Sequence, residues 1–227
     1  MMLEGLKKKI IVSVQAMPNE PFYDEVCINA MMQDVINGGA SALRVAGVRD
    51  VKNAKKMFQV PVIGLTKPKE LPLNWKSIVY ITPTLTDVKD LIVAGADIIA
   101  FDGTSRHRPD DSNLSDIVNL IHAYNRIAMA DISTFEEGFN CASLGVDIIS
   151  TTLAGYTQES LDESSTPNFK LLEKLVKNIE KPVFLEGRVW TPEEVKKAFE
   201  IGAHAVVIGS AITRPHLITK RFIEGSI

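Results

Sequence analysis

Only two cysteines occur in the 227 residues, Cys27 and Cys141, far apart and without CxxC or Cys/His spacing. Their scarcity excludes a disulfide framework and a structural zinc site, and suits a reducing cytosol. Four histidines, at 107, 122, 204 and 216, share no ligand spacing either, so they read as structural or surface groups and no metal is expected. No apolar run approaches the length of a membrane span. The stretch Ile10–Val14, behind the basic start 1–9, is too short for a signal-peptide core. Charge blocks are missing as well: 25 Lys and Arg and 28 Asp and Glu are scattered, for a net charge of -3. That distribution leaves no electrostatic footprint for nucleic acid or a membrane surface. The expected partners are therefore small molecules, and the expected location is the cytoplasm.

What the chain has is hydrophobic content, 45% of its residues, enough for one large core, with no linker or low-complexity segment to divide it. Short β-branched runs alternate with longer amphipathic stretches, the pattern of repeated βα units around a parallel sheet. Eight runs read as strands: Ile10–Gln15, Ala42–Gly47, Pro61–Lys67, Asp97–Gly103, Ile127–Ile132, Asp147–Thr152, Pro182–Gly187 and Ala205–Ser210. Four are introduced by one recurrent phrase, GGASALRV, AGADIIAF, LGVDIIST and IGAHAVVI. In each, a glycine supplies a left-handed helix cap and a short loop feeds the next strand. The expected fold is a single (β/α)₈ barrel, a TIM barrel of the phosphate-binding type, spanning residues 1–227 as one domain. A ninth run, Ile78–Pro83, reads as an accessory strand in an enlarged loop after the third strand. The last helix, with Lys220 and Arg221, reads as a closing element whose exposed face could meet another subunit.

In barrel enzymes the chemistry sits at the carboxyl ends of the strands. Nearly every run here ends in a polar residue: Gln15, Arg44, Lys67, Asp102, Asp131, Thr151 with Thr152, and Glu186, while the eighth ends in Gly209-Ser210. A single such residue can merely mark where a strand leaves the core; seven converging on one mouth point to function. Arg44, between Leu43 and Val45, needs an anionic partner, supplied by a ligand or by a carboxylate of the protein. Lys67 is fixed by the following Pro68; with its pKa lowered by burial it can take and return a carbon-bound proton, whereas the alternative is a solvated lysine beside Lys69 and Lys76. Glu186 leaves the most hydrophobic strand, where a carboxyl pKa rises, unless a cation such as Lys67 holds it ionised. Gly187-Arg188 and Gly209-Ser210-Ala211 place small residues at the last two strand-to-helix turns, where barrels often bind phosphate through backbone N–H groups.

The phrases SVQA, LRV, IGLTK, DIIAFDGTSRHRP, MADIST, STTLAGYT, FLEGRVWTPE and VVIGSAITRP, spread from Ser13 to Pro215, resemble those of the bacterial N-acylmannosamine-6-phosphate 2-epimerases. The resemblance covers almost the whole chain. It implies a cofactor-free epimerase of sialic acid breakdown that interconverts N-acetylmannosamine 6-phosphate and N-acetylglucosamine 6-phosphate by proton removal and return at C2. By residue matching it implies that Lys67 and Glu186 are catalytic. Gln15, Arg44, Asp131, Thr151, Thr152 and Tyr156 would hold the sugar, and Gly187, Arg188, Gly209, Ser210 and Arg214 the phosphate. It also implies a homodimer. The chain departs from the family pattern at Lys67-Pro68, where the lysine would precede an arginine, and at Arg188, where asparagine is frequent. Two other functions remain open on the residues alone: an aldose-ketose isomerase on a similar barrel, or a non-catalytic phosphosugar-binding module.

Overall fold

In the computed structural model, which describes residues 2–162 and 164–226, eight parallel strands close into a barrel in sequence order. They are β1 (Lys9–Val14), β2 (Ala42–Ala46), β3 (Val62–Leu65), β4 (Ile98–Asp102), β5 (Ile127–Asp131), β6 (Ile148–Ser150), β7 (Val183–Glu186) and β8 (Ala205–Ile208). The helices are α1 (Met2–Gly5), α2 (Glu25–Asn37), α3 (Val48–Met57), α4 (Leu85–Ala94), α5 (Leu114–Ala123), α6 (Phe135–Ser143), α7 (Phe169–Asn178), α8 (Pro192–Ile201), α9 (Ser210–Thr213) and α10 (Pro215–Glu224). β1 pairs with both β2 and β8, which closes the ring. The TIM barrel expected from the sequence is thus present, and the eight expected runs carry its eight strands.

The strands are apolar on both faces because each face is covered. Alternate residues such as Val12, Leu43, Ile99 and Leu185 pack outward against the helices. Their neighbours Ile11, Ala42, Ile63, Ile98 and Phe184 fill the barrel interior. The four recurrent glycines take positive φ, at Gly39, Gly95, Gly145 and Gly202, as the repeated phrase requires. At the opposite end of the barrel, α4, α5, α6 and α8 begin with capping boxes built by Thr84 with Asp87, Asn113 with Asp116, Thr134 with Glu137, and Thr191 with Glu194. These caps satisfy helix N–H groups at the rim that carries the strand-to-helix loops, and so hold those loops in place.

Two expectations need correction. The run Ile78–Pro83 is no strand. It lies extended in the loop after β3, and its backbone bonds sideways, Thr82 N–H to Thr66 O at 3.0 Å and Asp102 N–H to Ile81 O at 3.0 Å. Those two bonds wedge it between the ends of β3 and β4, which pair directly only at Ile63 with Ile98 and Gly64 with Ile99. Thr82 has φ of 44°, which breaks the extension a strand would need. The final helix α10 does not seal the barrel, for none of its residues is buried and Phe222 and Ile223 are exposed. Among the described residues no helix is long and apolar enough to cross a membrane.

Candidate active site

The side-chain period of a strand places residues two apart on the same face. Ala42, Met129 and Phe184 line the interior, so Arg44, Asp131 and Glu186 are the next inward positions toward the carboxyl end. There they meet. The Arg44 guanidinium, 1% exposed, donates to Asp131 Oδ2 at 2.6 Å and Oδ1 at 3.2 Å. Its Nε lies 3.2 Å from Glu186 Oε1 without hydrogen-bond alignment. The anionic partner that Arg44 needs is therefore a pair of the protein's own carboxylates. Thr152 bridges the same two: its hydroxyl lies 2.7 Å from Asp131 Oδ1 and 3.0 Å from Glu186 Oε2. Its neighbour Thr151 is buried and donates its hydroxyl to the backbone carbonyl of Glu186 at 3.0 Å.

Above this layer a cavity of about 520 Å³ opens at the barrel mouth. Lys67, two residues beyond the end of β3, reaches into it and donates to Gln15 Oε1 at 2.8 Å; Gln15 Nε2 in turn donates to Ser13 Oγ at 2.8 Å. Burial and then the nearby Arg44 cation lower the Lys67 pKa to about 8, against the opposing pull of Glu186 and Asp131. Burial raises the Glu186 pKa and Asp131 adds to the rise, while Arg44, Thr152 and Lys67 oppose it. The mouth thus holds an amine that can lose its proton near neutral pH and a carboxyl that can keep one longer than usual, two groups fit for acid–base work.

Of the residues singled out from the sequence, Gln15, Lys67, Thr152, Tyr156 and Glu186 line this cavity, as do Gly187, Arg188, Gly209, Ser210 and Arg214. Arg44, Asp131 and Thr151 do not. They lie buried beneath it, where Arg44 and Thr151 contact Glu186 and Asp131 is joined to it through Arg44 and Thr152. Asp102 turns away from the mouth, accepting from Thr104 Oγ1 at 2.6 Å and pairing with Arg106 at 2.7 Å.

Gly187 (φ 108°) and Arg188 (φ 57°) form a left-handed turn after β7. The arginine side chain folds back over Tyr156, 4.9 Å from the ring centre, and donates to Asp162 O at 3.1 Å. After β8, Gly209 leads into the short helix α9, whose first N–H groups have no earlier carbonyl to bond within the helix. Arg214 is paired with Glu20. Both arginines thus stand at the mouth with protein partners already engaged, and the backbone of the two turns is the freer anion-binding element.

Sequence reading missed several contributors, among them Ser13, Trp75, Tyr80 and Trp190, which also line the cavity. Ser13 is the inward neighbour of Gln15 and was legible from strand period. The tryptophans and Tyr80 reach the mouth from loops, which carry no periodic signal. A second hollow of about 640 Å³ lies outside the barrel between the loop after β4 and helices α5 and α6. Its arginines, Arg106 and Arg108, are bonded to loop carbonyls and to Asp102, so it lacks the paired acid–base groups of the mouth.

Fold and site together define a TIM-barrel enzyme equipped for acid–base chemistry at its carboxyl-end mouth. The family model described as "Putative N-acetylmannosamine-6-phosphate epimerase" matches residues 28–226, and the chain belongs to that family. It is 46% identical over 224 residues to a Clostridium perfringens protein described as "Putative N-acetylmannosamine-6-phosphate 2-epimerase", covering 98% of this chain and 99% of the relative. A Clostridioides difficile protein of the same description is 42% identical, with 98% of each chain covered. Among solved structures, the N-acetylmannosamine-6-phosphate 2-epimerase from Clostridium perfringens superposes with a TM-score of 0.93 at 45% identity, covering 99% of this chain and 96% of that one. A thiamine phosphate pyrophosphorylase from Pyrococcus furiosus, at 13% identity and a TM-score of 0.63 over 97% of this chain and 93% of that one, shares the fold alone.

Proposed function

We propose that this enzyme interconverts N-acetylmannosamine 6-phosphate and N-acetylglucosamine 6-phosphate, in the breakdown of sialic acid and related amino sugars. In the open-chain sugar the C2 hydrogen lies beside the C1 carbonyl. Breaking the C2–H bond sends its electron pair into an enolate, and returning a proton to the opposite face gives the epimer, so the chemistry needs no redox or group-carrying cofactor. The single observation that supports this reading best is Lys67: an amine with its pKa brought down to about 8, in a cavity that also holds Glu186. As a neutral amine it takes the C2 proton, and Glu186 is the second acid–base group. Gln15, Thr152 and Tyr156 face the sugar, with Arg44, Asp131 and Thr151 fixing Glu186 from below. The turns at Gly187-Arg188 and Gly209-Ser210 take the phosphate through backbone N–H groups, with Arg188 and Arg214 adding charge.

The same reading makes the protein a cytosolic homodimer. Cys27 and Cys141 are free thiols, and α10 leaves Phe222 and Ile223 as an exposed apolar face that a second copy would cover; light scattering should return twice the chain mass of 25.0 kDa. The activity itself is tested by proton NMR of N-acetylmannosamine 6-phosphate with metal-free protein in deuterated water. Deuterium should enter C2 as the gluco epimer forms, and Lys67→Ala should slow this by roughly 10²–10⁴-fold. Binding without exchange by the wild-type protein would overturn the assignment.

A further inference from the structure

We infer that Tyr80 is a substrate-binding residue of this site, its phenol donating a hydrogen bond to an oxygen at the C1–C2 end of the sugar. The inference rests on the epimerase reading above.

Tyr80 is 9% exposed and sits in the barrel interior with Ile63, Ile98 and Ala100, and it lines the mouth cavity. No hydrogen bond joins its hydroxyl to a described residue, and that oxygen is not among the fully buried unpaired atoms, so it is open to the cavity. A tyrosine whose ring is enclosed presents its phenol as the polar handle at the one open side. Here the side still open to it is the cavity, so a bound ligand is the partner that the position calls for.

The residue is also held where it stands. Trp75 meets its ring edge-on, with centroids 5.7 Å apart. The backbone around it is bonded on both sides: Thr66 N–H donates to Thr82 Oγ1 at 3.1 Å, and Thr82 Oγ1 donates to Ala100 O at 2.6 Å. Arg108 donates to Thr82 O at 3.0 Å and Pro83 O at 3.1 Å, and Arg106 donates to Lys76 O at 3.0 Å. This gives the otherwise unabsorbed motif DGTSRHRP a purpose. Its two arginines clamp the segment that carries Tyr80, and the same segment, through Thr82 and Thr66, fixes the backbone one residue before Lys67.

Position in the ring decides which end of the sugar Tyr80 meets. The closed order of strands puts β3 and β4 across the barrel from β7 and β8. With the phosphate on C6 at the turns after β7 and β8, the far end of the substrate, C1 with C2 and its acetamido group, lies toward β3 and β4. That is the end Lys67 must reach, and Tyr80 stands beside the same strand ends. Burial, with Asp102 and Asp131 adding to it, pushes the Tyr80 pKa upward, so the phenol keeps its proton and remains a donor wherever the enzyme is assayed.

The test is steady-state epimerisation of N-acetylmannosamine 6-phosphate by the wild type and by Tyr80→Phe, with thermal melting of both. The ring and its packing on Trp75 are retained, so melting should be unchanged while kcat/KM falls roughly tenfold. A fall mainly in kcat assigns the bond to the C1 oxygen on which the enolate charge develops. A rise mainly in KM assigns it to the acetamido carbonyl. The inference is overturned by kcat/KM within about twofold of wild type, or by a lowered melting temperature, which would give the hydroxyl a structural partner instead. If the wild type itself gives no product, it is the epimerase reading that has failed, not the placement of Tyr80.

Discussion

Within two residues along a strand, the barrel interior changes character. Ala42, Met129 and Phe184 point inward in one layer; Arg44, Asp131 and Glu186 point inward in the next and are ion-paired. Strand geometry and burial are alike in the two layers, but the rules of substitution differ. The apolar layer is held by volume, and each member can be exchanged for another hydrophobe of similar size at modest cost. The upper layer is held by charge balance across three strands, so it stands or falls as a set. Function occupies the layer where single changes are least tolerated, because a fixed carboxyl beside an amine of lowered pKa exists only where water is largely excluded.

Two substitutions sharpen the contrast. Arg44→Leu keeps bulk but leaves Asp131 and Glu186 buried without their cation. It should cost about 3–5 kcal/mol of stability by denaturant unfolding at neutral pH. The loss should shrink as pH falls, since Glu186, whose pKa burial already raises, takes up a proton and so removes part of the stranded charge. Phe184→Leu, one layer away on the strand that carries Glu186, should cost about 1–2 kcal/mol with no comparable pH dependence. Equal costs and equal pH responses would mean that the two layers are not distinct in the way the ion pairs imply.

The same contrast governs what was legible in the sequence. The eight strands could be read because burial on both faces forces continuous apolar runs, and Gly39, Gly95, Gly145 and Gly202 mark helix ends because their backbone must turn left-handed. Inward-facing Arg44, Asp131 and Glu186 were legible as polar interruptions of those runs. Their mutual pairing was not, because nothing in spacing says which strands stand together at the same height, and a ligand would have explained Arg44 equally well. Strand ends were overextended: β3 stops at Leu65 and β6 at Ser150, leaving Lys67 on the loop beyond and Thr151 and Thr152 in a single 3₁₀ turn. Ile78–Pro83 has the composition of a strand. Its place is set by sideways bonds from Thr82 to Thr66 and from Asp102 to Ile81, contacts that composition does not encode. Tyr80 went unnoticed for the same reason, and the pairing of Arg214 with Glu20 joins opposite ends of the chain.

The central claim is that Lys67 is the base, made so by burial beside Arg44, and its pH dependence tests that most directly. With a pKa of about 8, the lysine is neutral in roughly a tenth of molecules at pH 7 and in most of them above pH 9. The rate of deuterium entry at C2 under kcat/KM conditions should therefore climb about tenfold per unit below pH 7, bend near pH 8 and level off above it. A rate that is flat or falls between pH 6 and pH 9 would contradict the account, because the proton would then be taken by a group that is already deprotonated at neutral pH.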